Sequence, residues 1–123
     1  MYLWGMASDA DTCDLLCLDL PKAERVRASL PDIDELTRAA AAAKALGDPT
    51  RLAIALALHE EAVCVCDLAW IVGRDERLVS HHARLLKAAD VARSRREGKM
   101  VIYELTEHGR SLVGAVTAER AAP

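Results

Sequence analysis

The chain consists mostly of segments in which apolar residues recur with the period of an α-helix. Residues 31–46 form an alanine-rich segment that Gly47 ends, and Asp48 followed by Pro49 begins the next one. In that next segment residues 52–58 are all apolar, as expected of a central buried helix. The pattern predicts two helices, of which the second forms the centre of the core.

Two shorter helical segments follow at residues 67–72 and 75–89, with Gly73 between them. Two helices joined by a short glycine-containing turn are typical of a helix-turn-helix. In the second segment the predicted packing face consists of Leu78, Val79, Ala83, Leu85, Leu86 and Ala89. The residues left facing outward are of types that contact DNA: Arg74, Arg77, Ser80, His81 and Arg84.

After Asp90 the period changes from helical to alternating. Residues 91–105 alternate around a turn predicted at Glu97 and Gly98, and this indicates a β-hairpin with a basic tip. A hairpin placed directly after a helix-turn-helix forms the wing of a winged helix.

A last helix is predicted at residues 107–120, with Thr106 as its cap. Its apolar stripe makes it a candidate for contact between two copies of the chain. Gly109 and Gly114 lower its intrinsic helicity, so we expect it to need a partner surface.

The predicted fold is mainly α with a β-hairpin, a winged helix-turn-helix that is dimeric through its terminal helices. We expect an arm over residues 1–30 and a DNA-binding and dimerisation domain over residues 31–123. Trp70 is expected to anchor the core or an interface. The longest apolar run is far shorter than the roughly 20 residues of a membrane helix, so no membrane partner is expected.

The formal net charge of −3 argues against a nucleic-acid partner, but the charges are unevenly distributed. Residues 74–99 contain eight basic and four acidic residues, which gives this segment +4 and leaves −7 for the rest of the chain. Such a segment is either a phosphate-facing surface or an ordinary solvated face, and charge alone does not separate the two.

The four cysteines occur as two close pairs, Cys13 with Cys17 and Cys64 with Cys66. Residues four apart share a helix face, so the first pair presents both sulfurs together if residues 11–18 are helical. Residues two apart converge only in extended or turn-like backbone, which a helix start at Asp67 would allow for the second pair. The dipole of that helix would also favour the thiolate form. Thiolates prefer soft ions such as Cd(II), Pb(II) or Zn(II), and four close a tetrahedral site.

Other interpretations of the cysteines stay open. They are free buried thiols, a redox switch, or a structural zinc site. The first 17 residues contain no basic residue and no long apolar run, so we expect no secretory signal. We therefore expect a reducing, cytoplasmic location, where stable disulfides are rare.

Several stretches resemble the ArsR/SmtB family of metal-responsive repressors. The similar segments are the metal box AVCVCDLA (62–69), the helix start LGDPTR (46–51), the recognition helix SHHARLL (80–86), and the wing REGK (96–99) with Tyr103. Residues 12–17, TCDLLC, additionally resemble the N-terminal arm of the cadmium- and lead-sensing CadC branch of that family.

The resemblance implies a homodimer that binds double-stranded operator DNA and leaves it when a soft metal ion, Cd, Pb or Zn, binds. It implies that the arm of one protomer meets the Cys-Val-Cys segment of the other, so that the metal ligands are Cys13, Cys17, Cys64 and Cys66. A repressor of the same family that responds to arsenite or mercury, and a thiol redox regulator of DNA binding, are the alternatives.

The resemblance also implies the DNA contacts. Base edges and phosphates would be met by Arg77, Ser80, His81 and Arg84, and the flanking backbone by Arg95, Arg96 and Lys99. The family often carries a second metal site on its last helix, for which this chain offers only His108 and Glu119. His82 is expected to be a packing residue.

An enzyme is the class that the sequence favours least. No nucleophile and base recur at usable spacing, and no glycine-rich phosphate loop is present. A zinc-stabilised or redox-responsive interaction protein of the same fold is the competing class.

Overall fold

The computed structural model describes residues 11–117. The chain divides into two compact units, Met1–Asp32 and Ile33–Pro123. Glu119, predicted for a second metal site, lies outside the described residues. None of the helices within residues 11–117 combines the length and apolar character that crossing a membrane requires.

Helix α1 (Leu20–Ser29) belongs to the first unit. Asp19 caps it by accepting a hydrogen bond from the Lys22 N–H at 3.2 Å, and Pro21 lies in its first turn. The helix considered for residues 11–18 is not found, since residues 12–19 are irregular. Helical structure after this irregular stretch begins at the Asp19 cap.

The part of the first unit that the structure describes leaves its large apolar side chains exposed. No residue of α1 is buried. Leu15, Leu16 and Leu18 are 72%, 92% and 66% exposed. Exposed apolar residues at this density are typical of a segment that packs against another surface.

The second unit is a winged helix-turn-helix, so the predicted mainly α fold is confirmed. In chain order its elements are α2 (Ile33–Ala45), α3 (Pro49–Glu60), β1 (Val63–Cys64), α4 (Val65–Val72), α5 (Glu76–Ala88), β2 (Ala92–Glu97), β3 (Met100–Leu105) and α6 (Glu107–Val116). Helix α3 begins where predicted, because the Asp48 carboxylate accepts from the Arg51 N–H at 3.1 Å and Pro49 follows it.

The core is formed around α3, as its apolar run predicts. Its side chains come from all five helices α2–α6 and the sheet, and the largest fully buried ones are Ile54, Leu58, Leu68, Val79, Leu86, Val91 and Val113. Leu78 and Leu85, predicted on the packing face of α5, are instead 40% and 38% exposed. They lie at the margins of that face, which Val79, Ala83 and Leu86 occupy.

The predicted hairpin is found, but it belongs to a three-stranded antiparallel sheet of order β1-β3-β2. The extra strand β1 pairs Val63 with Tyr103 and Cys64 with Ile102. The turn lies at Gly98 and Lys99, one residue later than predicted. Gly98 adopts φ +63°, which suits the glycine at the first central position of a two-residue hairpin turn.

Helix α4 begins at Val65, two residues before the predicted start at Asp67. Gly73 ends it in left-handed backbone, with φ +68°. Leu68 faces the core, whereas Trp70 is 85% exposed, so the core alternative for Trp70 is wrong.

The start of α6 is hydrogen-bonded to the turn that follows α5. The Thr106 hydroxyl donates to the Asp90 carbonyl at 2.7 Å, and the Thr106 N–H donates to the Val91 carbonyl at 3.0 Å. Thr106 also caps α6, accepting from the Gly109 N–H at 2.9 Å. A Cβ atom at Gly109 would overlap the Val91 carbonyl oxygen, while a Cβ at Gly114 would meet nothing within 4 Å.

This contact predicts opposite effects for two glycines of one helix. Gly109→Ala should lower the free energy of unfolding by about 1–3 kcal/mol, because the new methyl group forces backbone apart. Gly114→Ala, the matched control, should raise it by about 0.5–1 kcal/mol through helix propensity. Urea unfolding followed by circular dichroism measures both. Equal stability of the two variants would contradict the close approach at Gly109.

Candidate metal centre and nucleic-acid interface

The arm cysteines form a close pair although their segment is not helical. The Cys17 thiol donates to the Cys13 sulfur at 3.2 Å, and both side chains are exposed. This hydrogen bond raises the pKa of the Cys17 thiol, since it stabilises the protonated form. Two thiolates on one tetrahedral zinc ion lie about 3.8 Å apart at Zn–S bonds of about 2.3 Å. A small increase in the distance between the two sulfurs would therefore allow both to bind one metal ion.

The second pair lies where the sheet meets the helix-turn-helix. Cys64 is the last residue of β1 and also caps α4, its sulfur accepting from the Asp67 N–H at 3.5 Å. Its backbone is extended, with φ −79° and ψ 162°, as convergence of the pair requires. Cys66 is exposed in the first turn of α4, and Cys64 is half-buried. Both sulfurs are thus at the start of the first helix of the DNA-reading unit.

Cys66 has a neighbour that the sequence pattern does not predict. Its thiol donates to the Glu76 Oε1 at 3.7 Å, across the turn between α4 and α5. The negative charge of Glu76 raises the pKa of the Cys66 thiol. The expectation that the helix start favours the thiolate is therefore wrong for Cys66, because a nearby carboxylate opposes it.

A cavity of about 220 Å³ joins the second sulfur pair to the DNA-reading elements. Its wall is formed by β1, the starts of α4 and α5, and the wing, through Cys64, Val65, Cys66, Glu76, Ser80, Lys99, Met100 and Val101. Candidate metal ligands and candidate DNA contacts therefore share one cavity.

The predicted DNA contacts of α5 lie on its outer face. Asp75 caps the helix by accepting from the Arg77 N–H at 3.0 Å. Arg77, His81 and Arg84 are exposed, and the half-buried Ser80 accepts a hydrogen bond from Arg84 at 2.9 Å. Spacings of three and four residues place these side chains on one stripe.

His82 is half-buried and contacts Arg51 of α3. An Arg51 guanidinium nitrogen lies 3.1 Å from its Nδ1 atom. Another guanidinium nitrogen of Arg51 donates to the Ala45 carbonyl at 2.7 Å. The two contacts connect α5 to the junction of α2 and α3.

The basic residues of the wing differ in their pairing. Arg95 contacts Glu97 at 2.6 Å and Glu104 at 3.1 Å, and its hydrogen bond to Glu97 raises its pKa. Arg93 contacts Glu104 at 2.6 Å, and this hydrogen bond lowers the pKa of Glu104. Arg96 and Lys99 are exposed at the tip, and no salt bridge within residues 11–117 involves either of them.

In the part of the chain that the structure describes, no group of three or more His, Cys, Asp or Glu side chains is placed to hold a metal ion. The first cysteine pair lies in the first unit and the second pair in the second unit. His108 is exposed in the first turn of α6.

Comparisons with known proteins agree with this architecture. A family model described as "Bacterial regulatory protein, arsR family" matches residues 48–94. The cadmium resistance transcriptional regulatory protein CadC homolog of Staphylococcus aureus is 39% identical over 105 residues, which cover 84% of this chain and 86% of the relative. The transcriptional repressor SmtB homolog of Synechocystis is 33% identical, with 78% and 73% covered.

A solved structure shows the same fold. The homodimeric winged helix-turn-helix DNA-binding domain of a possible ArsR-family transcriptional regulator from Mycobacterium bovis matches with a TM-score of 0.67. The identity is 26%, and the match covers 76% of this chain and 89% of that domain.

The contact between Cys66 and Glu76 predicts a change in thiol reactivity. In a background where the other three cysteines are serine, Glu76→Gln should lower the pKa of Cys66, because the anionic thiolate loses a negative neighbour. Alkylation by iodoacetamide near neutral pH should then become faster. Glu107→Gln, at the first residue of α6, is the matched control and should leave the rate unchanged. Equal rates in both variants would contradict the contact.

Proposed function

The chain belongs to the ArsR family of bacterial regulatory proteins, and we propose that it is a homodimeric repressor that a soft metal ion releases from its operator. Family membership makes it a DNA-binding transcription regulator rather than an enzyme, as the sequence predicts. The observation that carries the proposal is the placement of paired thiols, one pair in an exposed arm and one at the start of the helix-turn-helix.

The proposed metal ligands are Cys13 and Cys17 of one protomer with Cys64 and Cys66 of the other. Two observations support this assignment. The sulfurs of Cys13 and Cys17 are in contact, and Cys66 is exposed beside the half-buried Cys64. The arm leaves its leucines exposed, which suits packing on another protomer. Cd(II), Pb(II) and Zn(II) are the proposed effectors, because thiolates bind these soft ions well. The S. aureus relative is named as a cadmium resistance regulator. The thiols require a reducing compartment, the cytoplasm.

The proposed DNA surface combines α5 with the wing. Arg77, Ser80, His81 and Arg84 would meet base edges and phosphates in the major groove, as the second helix of a helix-turn-helix does. Arg96 and Lys99 would hold the flanking backbone, where phosphate contacts supply affinity without reading sequence. Arg95 would contribute less, since Glu97 and Glu104 already neutralise it.

Dimer geometry connects metal binding to DNA binding. A dimer must hold its two α5 helices one turn of DNA apart, about 34–36 Å, to fill both half-sites. Cysteines from both protomers, drawn together on one ion beside α4, would change that spacing. Couplings of this kind typically amount to about 1–3 kcal/mol.

A thiol redox switch is the second candidate, because the sulfurs of Cys13 and Cys17 are already 3.2 Å apart. Peroxide would take two electrons and two protons from the pair, giving a disulfide and water. Under this alternative, peroxide would release the DNA and dithiothreitol would restore binding, while Cd(II) added to the reduced protein would have no effect.

Mixed dimers test whether the metal site spans two protomers. One variant carries Cys13→Ser and Cys17→Ser, and the other carries Cys64→Ser and Cys66→Ser. Each alone should lose tight Cd(II) binding, whereas an equal mixture, refolded together, should regain about one quarter of the wild-type sites, since half the dimers hold one complete site of two. Ultraviolet thiolate absorption under chelator competition counts the sites. No recovery in the mixture would contradict ligation across the dimer.

The pairing of wing residues predicts a difference in salt dependence. Lys99→Ala should weaken binding to operator and random duplexes alike, and should flatten the slope of log affinity against log salt by about 0.9 for each phosphate that the variant no longer neutralises. Arg95→Ala should change the slope less. Fluorescence anisotropy over a salt series measures both, using an operator selected from random duplexes. Unchanged affinity and slope for Lys99→Ala would show that the wing tip does not contact DNA.

A further inference from the structure

We propose that Glu76 adds an oxygen ligand to the ion held at Cys66 and thereby connects the metal centre to α5. This inference rests on the proposed function, and it concerns a residue outside the four cysteines. Glu76 is ten residues from Cys66 in sequence, yet its carboxylate is the hydrogen-bonding partner of the Cys66 thiol.

The separation of the two atoms fits a shared ion. The Cys66 sulfur and the Glu76 Oε1 are 3.7 Å apart. Around a five-coordinate ion with Zn–S bonds of about 2.3 Å and Zn–O bonds of about 2.1 Å, neighbouring sulfur and oxygen ligands lie about 3.1–3.8 Å apart. An ion could bridge the two atoms with little movement of either side chain.

The charges around Glu76 also favour a cation there. Both Glu76 and Cys66 are exposed, and they face the same cavity. The salt bridges within residues 11–117 join Arg93 and Arg95 to Glu97 and Glu104, so none of them occupies Glu76. A carboxylate outside these salt bridges, beside a thiol, attracts a divalent ion that binds the sulfur.

The position of Glu76 gives this ligand a consequence for DNA binding. Glu76 is the first residue of α5, directly after the cap at Asp75. Ser80, one turn further along α5, lines the same cavity, as does Lys99 of the wing. A displacement of the Glu76 side chain on metal binding therefore acts on the start of α5, the proposed recognition helix. Because α5 is rigid, Arg77 and Ser80 move with it.

The test compares Glu76→Gln with Glu107→Gln, which removes the same charge from the first residue of α6. Glu76→Gln should lower Cd(II) affinity by about 10–100-fold in chelator competition. The ratio of operator affinities without and with Cd(II) should fall by about fivefold or more. Taking this ratio cancels the gain in DNA affinity that follows from removing a negative charge near DNA. Glu107→Gln should match wild type in both measurements.

X-ray absorption at the cadmium edge gives an independent readout. The wild-type protein should show oxygen together with sulfur around the ion, and Glu76→Gln should change that shell. An all-sulfur shell in the wild type, or an unchanged coupling ratio in Glu76→Gln, would overturn the role of Glu76 while leaving the four-cysteine repressor intact. If the wild type itself does not release DNA with Cd(II), the proposed function fails, and this inference fails with it.

Discussion

The short strand β1 determines where the chemistry of this molecule is located. Cys64 pairs with Ile102 in the sheet and caps α4 with its sulfur, so one residue fixes the helix-turn-helix to the wing. Without that pairing, the segment between α3 and α4 would be a free connection. With it, two thiols sit at the junction of all the elements proposed to read DNA. Under the proposed function, an ion bound at this junction would act on α4, α5 and the wing together.

The route from sulfur to DNA is short because α4 and α5 pack directly on each other. Glu76 reaches back from the start of α5 to Cys66, and Ser80 and Lys99 face the same cavity. The opposite face of α5 is buried against the core, so α5 transmits a displacement rather than bending. One helix, α5, therefore connects the proposed effector site to the proposed DNA surface.

Local signals made much of the fold predictable. The start of α3 follows from Asp48 and Pro49, which act through hydrogen bonds and backbone angles within one turn. The helix-turn-helix and hairpin follow from the change in hydrophobic period, and the family follows from the motifs that surround the cysteines. These features depend on residues close together in sequence.

What the sequence did not reveal depends on tertiary packing. Strand β1 is two residues long, too short to show an alternating pattern, and it exists because β3 lies beside it. The contact of Glu76 with Cys66 requires the angle at which α5 leaves the turn after α4. Trp70 lies at an apolar position of the helical pattern, yet its side chain is exposed. The pattern alone does not show which face of a short apolar helix packs on the core. The helix caps, in contrast, could be predicted without knowledge of tertiary packing.

The central claim is that thiolates of the arm and of the α4 start gather around a single ion. A ¹¹³Cd–¹H correlation spectrum of the ¹¹³Cd-loaded dimer, with cysteine protons assigned, tests it most directly. The account predicts one cadmium resonance that couples to β-protons of the arm cysteines and also to those of Cys64 and Cys66. A cadmium resonance that couples to one pair alone, in a protein that still releases its operator, would contradict it.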